Sequence, residues 1–313
     1  MELSDIESSI SKLLGPFDYL WIAGILAFLA VVFLIMKLFK GRKGRTMPEE
    51  ATKEKKPRTL EPRTAGLEIA NVHGIGKRSY QQDAFAVSPL SDVSLCKRCG
   101  VLLVLADGMG GMTDGGKASA AVIDTLMHGF FDEELTSELA SDPSVMLASL
   151  LYRAGESVQK LDNSGSTGVS AIVRGNKLYF AACGDSRVAL YRGGAFIVLN
   201  REQNYAALLD DRAARGEIPY EEAISDQQRS ALTSYLGSTH LKVDRSLQPI
   251  TLCPNDIVIL MSDGIFNALS DTEICACLSH GLYEAAEVME DSIVRKNFDD
   301  QDNFTAILAK FIG

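Results

Sequence analysis

Histidine is scarce in this 313-residue chain: there are four, and none lies within two positions of the aspartates considered below. Zinc sites draw on His and Cys, so that scarcity points away from zinc. The six cysteines do not supply the alternative. Cys96-Lys-Arg-Cys99 has ligand spacing, but its partner pair, Cys275-Ala-Cys277, has the wrong spacing for a zinc knuckle. They read instead as reduced thiols in a reducing compartment: a loop pair, small core residues, and strand or strand-edge positions at Cys183 and Cys253. Positive charge is also short. From Leu67 onward 20 Lys/Arg stand against 33 Asp/Glu, a net of −13. Nucleic-acid phosphates need a basic face, so nucleic acid is not the main partner. No internal repeat is present, and a regular strand–helix alternation, the mark of a doubly wound sheet, is missing.

The one long stretch without charge is Tyr19–Met36. Eighteen helical residues span about 27 Å, close to the ~30 Å hydrocarbon core of a bilayer. Tyr19 and Trp21 mark one interface, and Lys37, Lys40, Arg42, Lys43 and Arg45 the other. Residues 1–18 lack the basic start of a signal peptide, carrying Glu2, Asp5, Glu7 and Asp18 against Lys12. Residues 37–65 hold 10 basic and 4 acidic side chains. The positive-inside rule then predicts a short extracytoplasmic segment (1–18), a transmembrane helix (19–39), a basic flexible linker (40–66) and a cytoplasmic globular part (67–313). Ala23 and Ala27 have small-xxx-small spacing, which is too common to predict dimerisation.

Within 67–313 the apolar patterns predict strands at 67–72, 83–88, 100–106, 168–174, 177–183, 187–192, 195–199, 242–250, 256–262 and 303–311. Arg192-Gly-Gly-Ala195 reads as a tight hairpin turn. Helical spacing appears at 117–131, 145–161, 271–278 (with Ser270 as N-cap) and 283–296. Strands clustered in sequence, with helices in blocks between them, predict an α+β domain of antiparallel sheets covered by helices. Residues 200–236 are polar and irregular, helical at 203–215, broken at Gly216 and Pro219, and resuming at 227–236; they suit a lid or flap.

Five aspartates border the apolar runs. Asp107 follows Val101–Ala106 and opens Asp107-Gly-Met-Gly-Gly111; Asp263 precedes Gly264; Asp83, Asp185 and Asp302 sit at other strand ends. Converging carboxylates repel unless cations neutralise them. An all-oxygen set suits Mg²⁺ or Mn²⁺, and two such ions can activate water for displacement at phosphorus. Gly108 would let the chain bend directly after Asp107 and offer its carbonyl, with Gly110 and Gly111 permitting positive φ. Arg78 could grip a phosphate with two parallel hydrogen bonds. Each piece taken alone is commonplace, since Asp-Gly is an ordinary turn and a lone arginine is usually solvated.

Their order is more telling. Gly76-Lys-Arg-Ser-Tyr-Gln-Gln-Asp-Ala84, Asp107-Gly-Met-Gly-Gly111, Ser166-Thr-Gly168, Gly184-Asp-Ser-Arg187, Ser262-Asp-Gly264 and Gln301-Asp-Asn303 follow one another. Together they resemble the metal-dependent Ser/Thr protein phosphatase family (type 2C, or PPM), particularly its bacterial members, over about residues 67–313. The resemblance implies a four-layer α-β-β-α sandwich with a binuclear Mg²⁺/Mn²⁺ site. It implies that Asp107 bridges the ions and that Gly108 lends its carbonyl. Asp263 and Asp302 would complete one shell, and Asp83 would serve the other ion directly or through water. Asp185 with Asp263 would form a third, weaker site, Arg78 would hold phosphate, and 200–236 would be the flap. It further implies phosphorylated Ser/Thr proteins, the products of a Ser/Thr kinase, as substrates. Two departures stand out: Gln82 where the family often has Glu, and Met109 where many eukaryotic members have a His proposed as general acid. A rival expectation follows from them, a non-catalytic pseudophosphatase that anchors phosphoproteins or a kinase at the membrane. Another makes residues 1–18 a sensor.

Overall fold

The apolar runs pair as antiparallel strands in two sheets. The computed structural model describes residues 66–110, 114–132 and 142–313; the expectations for 1–65 and for Gly111 lie outside the described residues. Among the described residues no helix is long and apolar enough to cross a membrane.

The first sheet has the order β1 (Leu67–Gly74), β12 (Phe304–Phe311), β11 (Ile257–Met261), β7 (Arg187–Arg192) and β8 (Ala195–Val198). The second runs β10 (Ile250–Thr251), β6 (Lys177–Cys183), β5 (Gly168–Arg174), β3 (Val101–Gly110) and β2 (Asp83–Val87). Within it β4 (Ser164–Ser166) pairs with β3, and β9 (Asp244–Arg245) with β6. Leu103, Leu105, Val169, Val258, Leu260 and Ile307 meet between the sheets. Alternate residues point the other way, as the two-residue period of a strand requires. Leu102, Val104 and Ile172 pack under α2 (Asp114–Phe131) and α3 (Pro143–Gln159) through Val122, Leu126, Leu147 and Leu151. On the other side Ile259, Met261 and Leu308 meet α7 (Asp271–Leu278) and α8 (Leu282–Lys296) through Ile274, Leu278, Ala285 and Met289. Both faces of both sheets are therefore covered. That explains why the central strands read as continuous apolar runs rather than alternating ones.

Three expectations need correction. The strand expected at 242–250 is two short pairings with Leu247 exposed between them. Pro249 has no N–H to give a ladder, and the Ser246 hydroxyl, not a backbone carbonyl, accepts from Phe180 N. The 227–236 stretch is not helical. Its backbone groups bond across to the entering limb (Tyr205 N to Ala231 O, Thr233 N to Gln203 O) and to Ser166, leaving no i−4 ladder. The helix expected at 203–215 is present as α4 (Tyr205–Ala214), and a second short one, α5 (Tyr220–Ser225), starts after Pro219 as N-cap. The Cys96/Cys99 pair lies not in a loop but on a short helix, α1 (Val93–Cys99), whose N-cap Asp92 accepts from Leu95 N. Seven residues are too few for periodicity to reveal. Ser270 does cap α7, in a reciprocal box with Glu273.

Leu105, fully buried between the sheets, supplies a test of this packing. Leu105→Ala should lower unfolding free energy by about 2–5 kcal/mol, read from urea melts followed by circular dichroism.

Candidate active site

The ends of several strands and two loops meet at one end of the sandwich. Asp83, the first residue of β2, stands opposite Asp107 on β3 in the antiparallel register, so both side chains share one face. Asp107 is not at a strand end, contrary to expectation. β3 continues to Gly110 because β4 pairs with Gly108–Gly110. Gly108 is accordingly not a bend. A Cβ there would collide with the Gly115 carbonyl at the start of α2, and the Gly108 N–H donates to Gln82 O at 3.1 Å. Glycine is needed for that close approach. Asp263 is the first residue of a short helix, α6 (Asp263–Phe266), and Asp302 lies in the loop before β12. Asp185 follows Gly184, whose φ of +97° and contact with Thr167 favour glycine.

Arg78, Asp107, Gly108, Asp185, Asp263 and Asp302 line a single cleft of 330 Å³, together with Gln82, Met109 and, from the 200–236 segment, Ser230 and Leu232. Asp83 does not line it; it is buried, 5% exposed, opposite Asp107. Its Oδ2 accepts from Ser262 Oγ and Thr305 Oγ1, each at 2.7 Å. Asp107 is held through its backbone: its N–H donates to Thr167 Oγ1 at 3.0 Å, and its carbonyl accepts from Thr167 N. Thr167 in turn bonds Ser186, next to Asp185.

Like charges under partial burial resist ionisation. Burial first, and the neighbouring carboxylates second, push Asp107 well above the ordinary carboxylate range. Burial raises Asp83 to about 6, against two hydroxyl hydrogen bonds that lower it. Burial and then Asp263 raise Asp185 to about 7. Asp263 is raised by burial and by Asp302, offset by hydrogen bonds with Asp107 and Asn267.

Arg78 is exposed and grips Asp302 with two parallel bonds, Nε to Oδ1 at 2.8 Å and Nη2 to Oδ2 at 2.7 Å. That fork occupies both Asp302 oxygens. As the side chains stand, no group of three or more His, Cys, Asp or Glu among the described residues is poised around one cation. The donor set nonetheless fits hard divalent ions. It is all oxygen, and one oxygen each of Asp83 and Asp263 is buried with no hydrogen-bond partner. A buried carboxylate oxygen left without a partner is costly in protein but is what a cation requires.

Several supporting roles were not expected, although Thr167, Ser262, Asn303 and Arg187 lie within the quoted motifs. Ser262, Thr305 and Thr167 hold the aspartates, and Asn303 ties the Arg78 loop down by donating to Ile75 O and Tyr80 O while accepting from Gln82 N. The available signal was weak: a buried polar residue inside an apolar run, as Thr305 is in Phe304–Phe311. Arg187 lies over the Phe266 ring at 3.8 Å and donates to Glu202 at 2.7 Å, tying the Asp263 helix to the start of the 200–236 segment.

A family model described as protein phosphatase 2C matches residues 73–301. The chain belongs to that family. As a member of the type 2C family it is a protein phosphatase, a phosphoric monoester hydrolase. It is 29% identical over 183 residues to a putative protein phosphatase 2C-type of Streptococcus pyogenes, covering 56% of this chain and 72% of that one. It is 31% identical over 214 residues to the serine/threonine protein phosphatase PstP of Mycobacterium tuberculosis, covering 67% of this chain but 40% of PstP. Among solved structures, the Streptococcus agalactiae serine/threonine phosphatase superposes with a TM-score of 0.63 at 26% identity, over 79% of this chain and all of that one. The PstP catalytic domain, solved in complex with two manganese ions, gives 0.61 at 25% identity over 79% and 99%.

The raised carboxylates carry a signed prediction. With EDTA present, the folded type 2C domain holds protons that the unfolded chain releases near pH 4. Stability should therefore fall as pH rises through about 6 and 7, the values of Asp83 and Asp185. A divalent ion held by these carboxylates would compete with those protons, so the rise in melting temperature on adding Mn²⁺ should be larger at pH 8 than at pH 5, measured by scanning fluorimetry.

Proposed function

We propose that this chain hydrolyses phosphoserine and phosphothreonine on cytoplasmic proteins at a binuclear Mn²⁺ or Mg²⁺ centre, from a position anchored to the membrane. The observation that carries the reading is the convergence of four carboxylates and one arginine on a single cleft, with a fifth carboxylate, Asp83, directly opposite Asp107. Asp107 would bridge the two ions, with Gly108 lending its carbonyl. Asp263 and Asp302 would complete one shell, Asp83 would serve the other, and Asp185 with Asp263 would take an optional third ion. Bound divalent cations supply neutralising charge and Lewis acidity for phosphate-ester hydrolysis.

The protein's own groups do the rest. Arg78 presents a guanidinium fork already in the two-bond geometry that suits a phosphate. Ser230 and Leu232 wall the cleft from the flap side, where a substrate segment would lie. Met109 lines the cleft and carries no proton, so protonation of the leaving Ser/Thr oxygen falls to another donor. The substrates would be products of a Ser/Thr kinase, in keeping with relatives named serine/threonine phosphatases. Gln82 and Met109 are the only support for the non-catalytic rival, and the presence of all five aspartates counts against it.

The full-length protein in detergent should hydrolyse an aryl phosphate and phosphothreonine peptides with Mn²⁺ and stop in EDTA. Asp107→Asn and Asp263→Asn should each lower kcat/KM by on the order of 10²-fold or more, the scale of removing one preorganised electrostatic group; wild-type rates in both would refute the centre.

The membrane part of the reading rests on the uncharged run Tyr19–Met36 and the basic residues after it. Fractionation of cells should find the full chain with membranes, and removal of residues 1–39 should move it to the soluble fraction. An unchanged distribution would remove the anchor from the proposal.

A further inference from the structure

Asp83 is the one carboxylate of the group that both sheets hold. It begins β2 in the second sheet, yet its hydrogen-bond donors, Ser262 and Thr305, lie directly after β11 and on β12 of the first. Both donors are fully buried. Each hydroxyl has one hydrogen, and each gives it to the same oxygen, Oδ2. The Ser262 oxygen also accepts from Thr305 N at 3.0 Å, which locks the two hydroxyls together.

Thr305 has a further neighbour. His73 stands directly opposite it in the β1–β12 register, with Nδ1 2.9 Å from Thr305 Oγ1. With Asp83 ionised, the Thr305 hydrogen goes to Oδ2, and the His73 tautomer that completes the contact is the one protonated on Nδ1. The ring is itself braced edge-on against Phe85 of β2, with centroids 5.2 Å apart. A directional chain results: His73 Nδ1–H to Thr305 Oγ1, Thr305 O–H to Asp83 Oδ2. Two donors on Oδ2 fix the plane of the carboxylate, while Oδ1 is buried without any partner.

We infer that His73 and Thr305 are positioning residues, a relay that saturates Asp83 Oδ2 and so reserves Asp83 Oδ1 for a cation or for water on a cation. The inference rests on Asp83 serving the metal centre proposed above. It goes beyond that reading by giving metal affinity two determinants outside the carboxylates, one of them a histidine. Outer residues that orient a ligand typically change metal affinity by about 10- to 100-fold when removed.

Calorimetric titration of Mn²⁺ into the full-length protein tests it, with thermal unfolding in EDTA as the control for folding. Thr305→Val keeps the shape and removes the hydroxyl, and should weaken Mn²⁺ binding by about 10- to 100-fold. Thr305→Ser keeps the hydroxyl and should restore affinity to near wild type. His73→Phe keeps the ring against Phe85 and removes the donor; it should weaken binding by several-fold, and it reports on the relay even if Thr305→Val fails to fold. Unchanged affinity in a folded Thr305→Val or in His73→Phe overturns the relay, as does a Thr305→Ser as weak as Thr305→Val. Absence of Mn²⁺ binding in the wild-type protein would instead overturn the metal centre itself.

Discussion

Two carboxylates facing each other across a pair of strands make the constraint around which the rest is arranged. Asp83 and Asp107 are register partners on β2 and β3, and burial raises both above the ordinary range. Asp185, Asp263 and Asp302 add repulsion of the same sign to Asp107. In a medium less polarisable than water such repulsion is large. Protons, a guanidinium or cations must compensate it. The protein provides part of the answer itself, with Arg78 on Asp302 and two hydroxyls on Asp83. Under the reading proposed above divalent cations supply the remaining part, and the all-oxygen cleft is organised to suit them.

That organisation explains the two-sheet architecture. The second sheet supplies Asp83 and Asp107. Asp263 and Asp302 border β11 and β12 of the first sheet, and Asp185 lies on the connection from β6 to β7, where the chain passes between sheets. The acidic cleft therefore exists only when the apolar core between the sheets is formed. Small residues set the tolerances: Gly108 lies against the backbone of Gly115, and Gly264 against the carbonyl of Asn303. The 200–236 segment is tied to the same end. Gln203 exchanges hydrogen bonds with Gly184, beside Asp185, while Arg187 and Glu202 join its base to the Asp263 helix.

Much of the fold was legible because burial leaves a mark on composition. The strands Gly168–Arg174, Lys177–Cys183 and Arg187–Arg192 and the helix Asp271–Leu278 have the predicted bounds. What failed were elements whose hydrogen bonds are not local. The return limb at 227–236 takes its partners from Gln203, Tyr205 and Ser166, and the Asp244–Thr251 region is broken by a proline and rescued by a serine side chain. Neither leaves a periodic trace. Helix Val93–Cys99 was missed for its brevity.

The amino-acid order alone determined that five aspartates border apolar runs, that hard oxygen ligands outnumber soft ones, and that the motifs are those of the type 2C family. A residue's type and its neighbours along the chain carry that information. Only the tertiary structure decided that Asp107 lies within a strand, that Arg78 grips Asp302, that Gln82 contributes its backbone to Gly108, and that His73 reaches Asp83 through Thr305. Those facts depend on contacts between residues as far as 232 positions apart. The packing of one sheet on another creates them, and local sequence does not encode it.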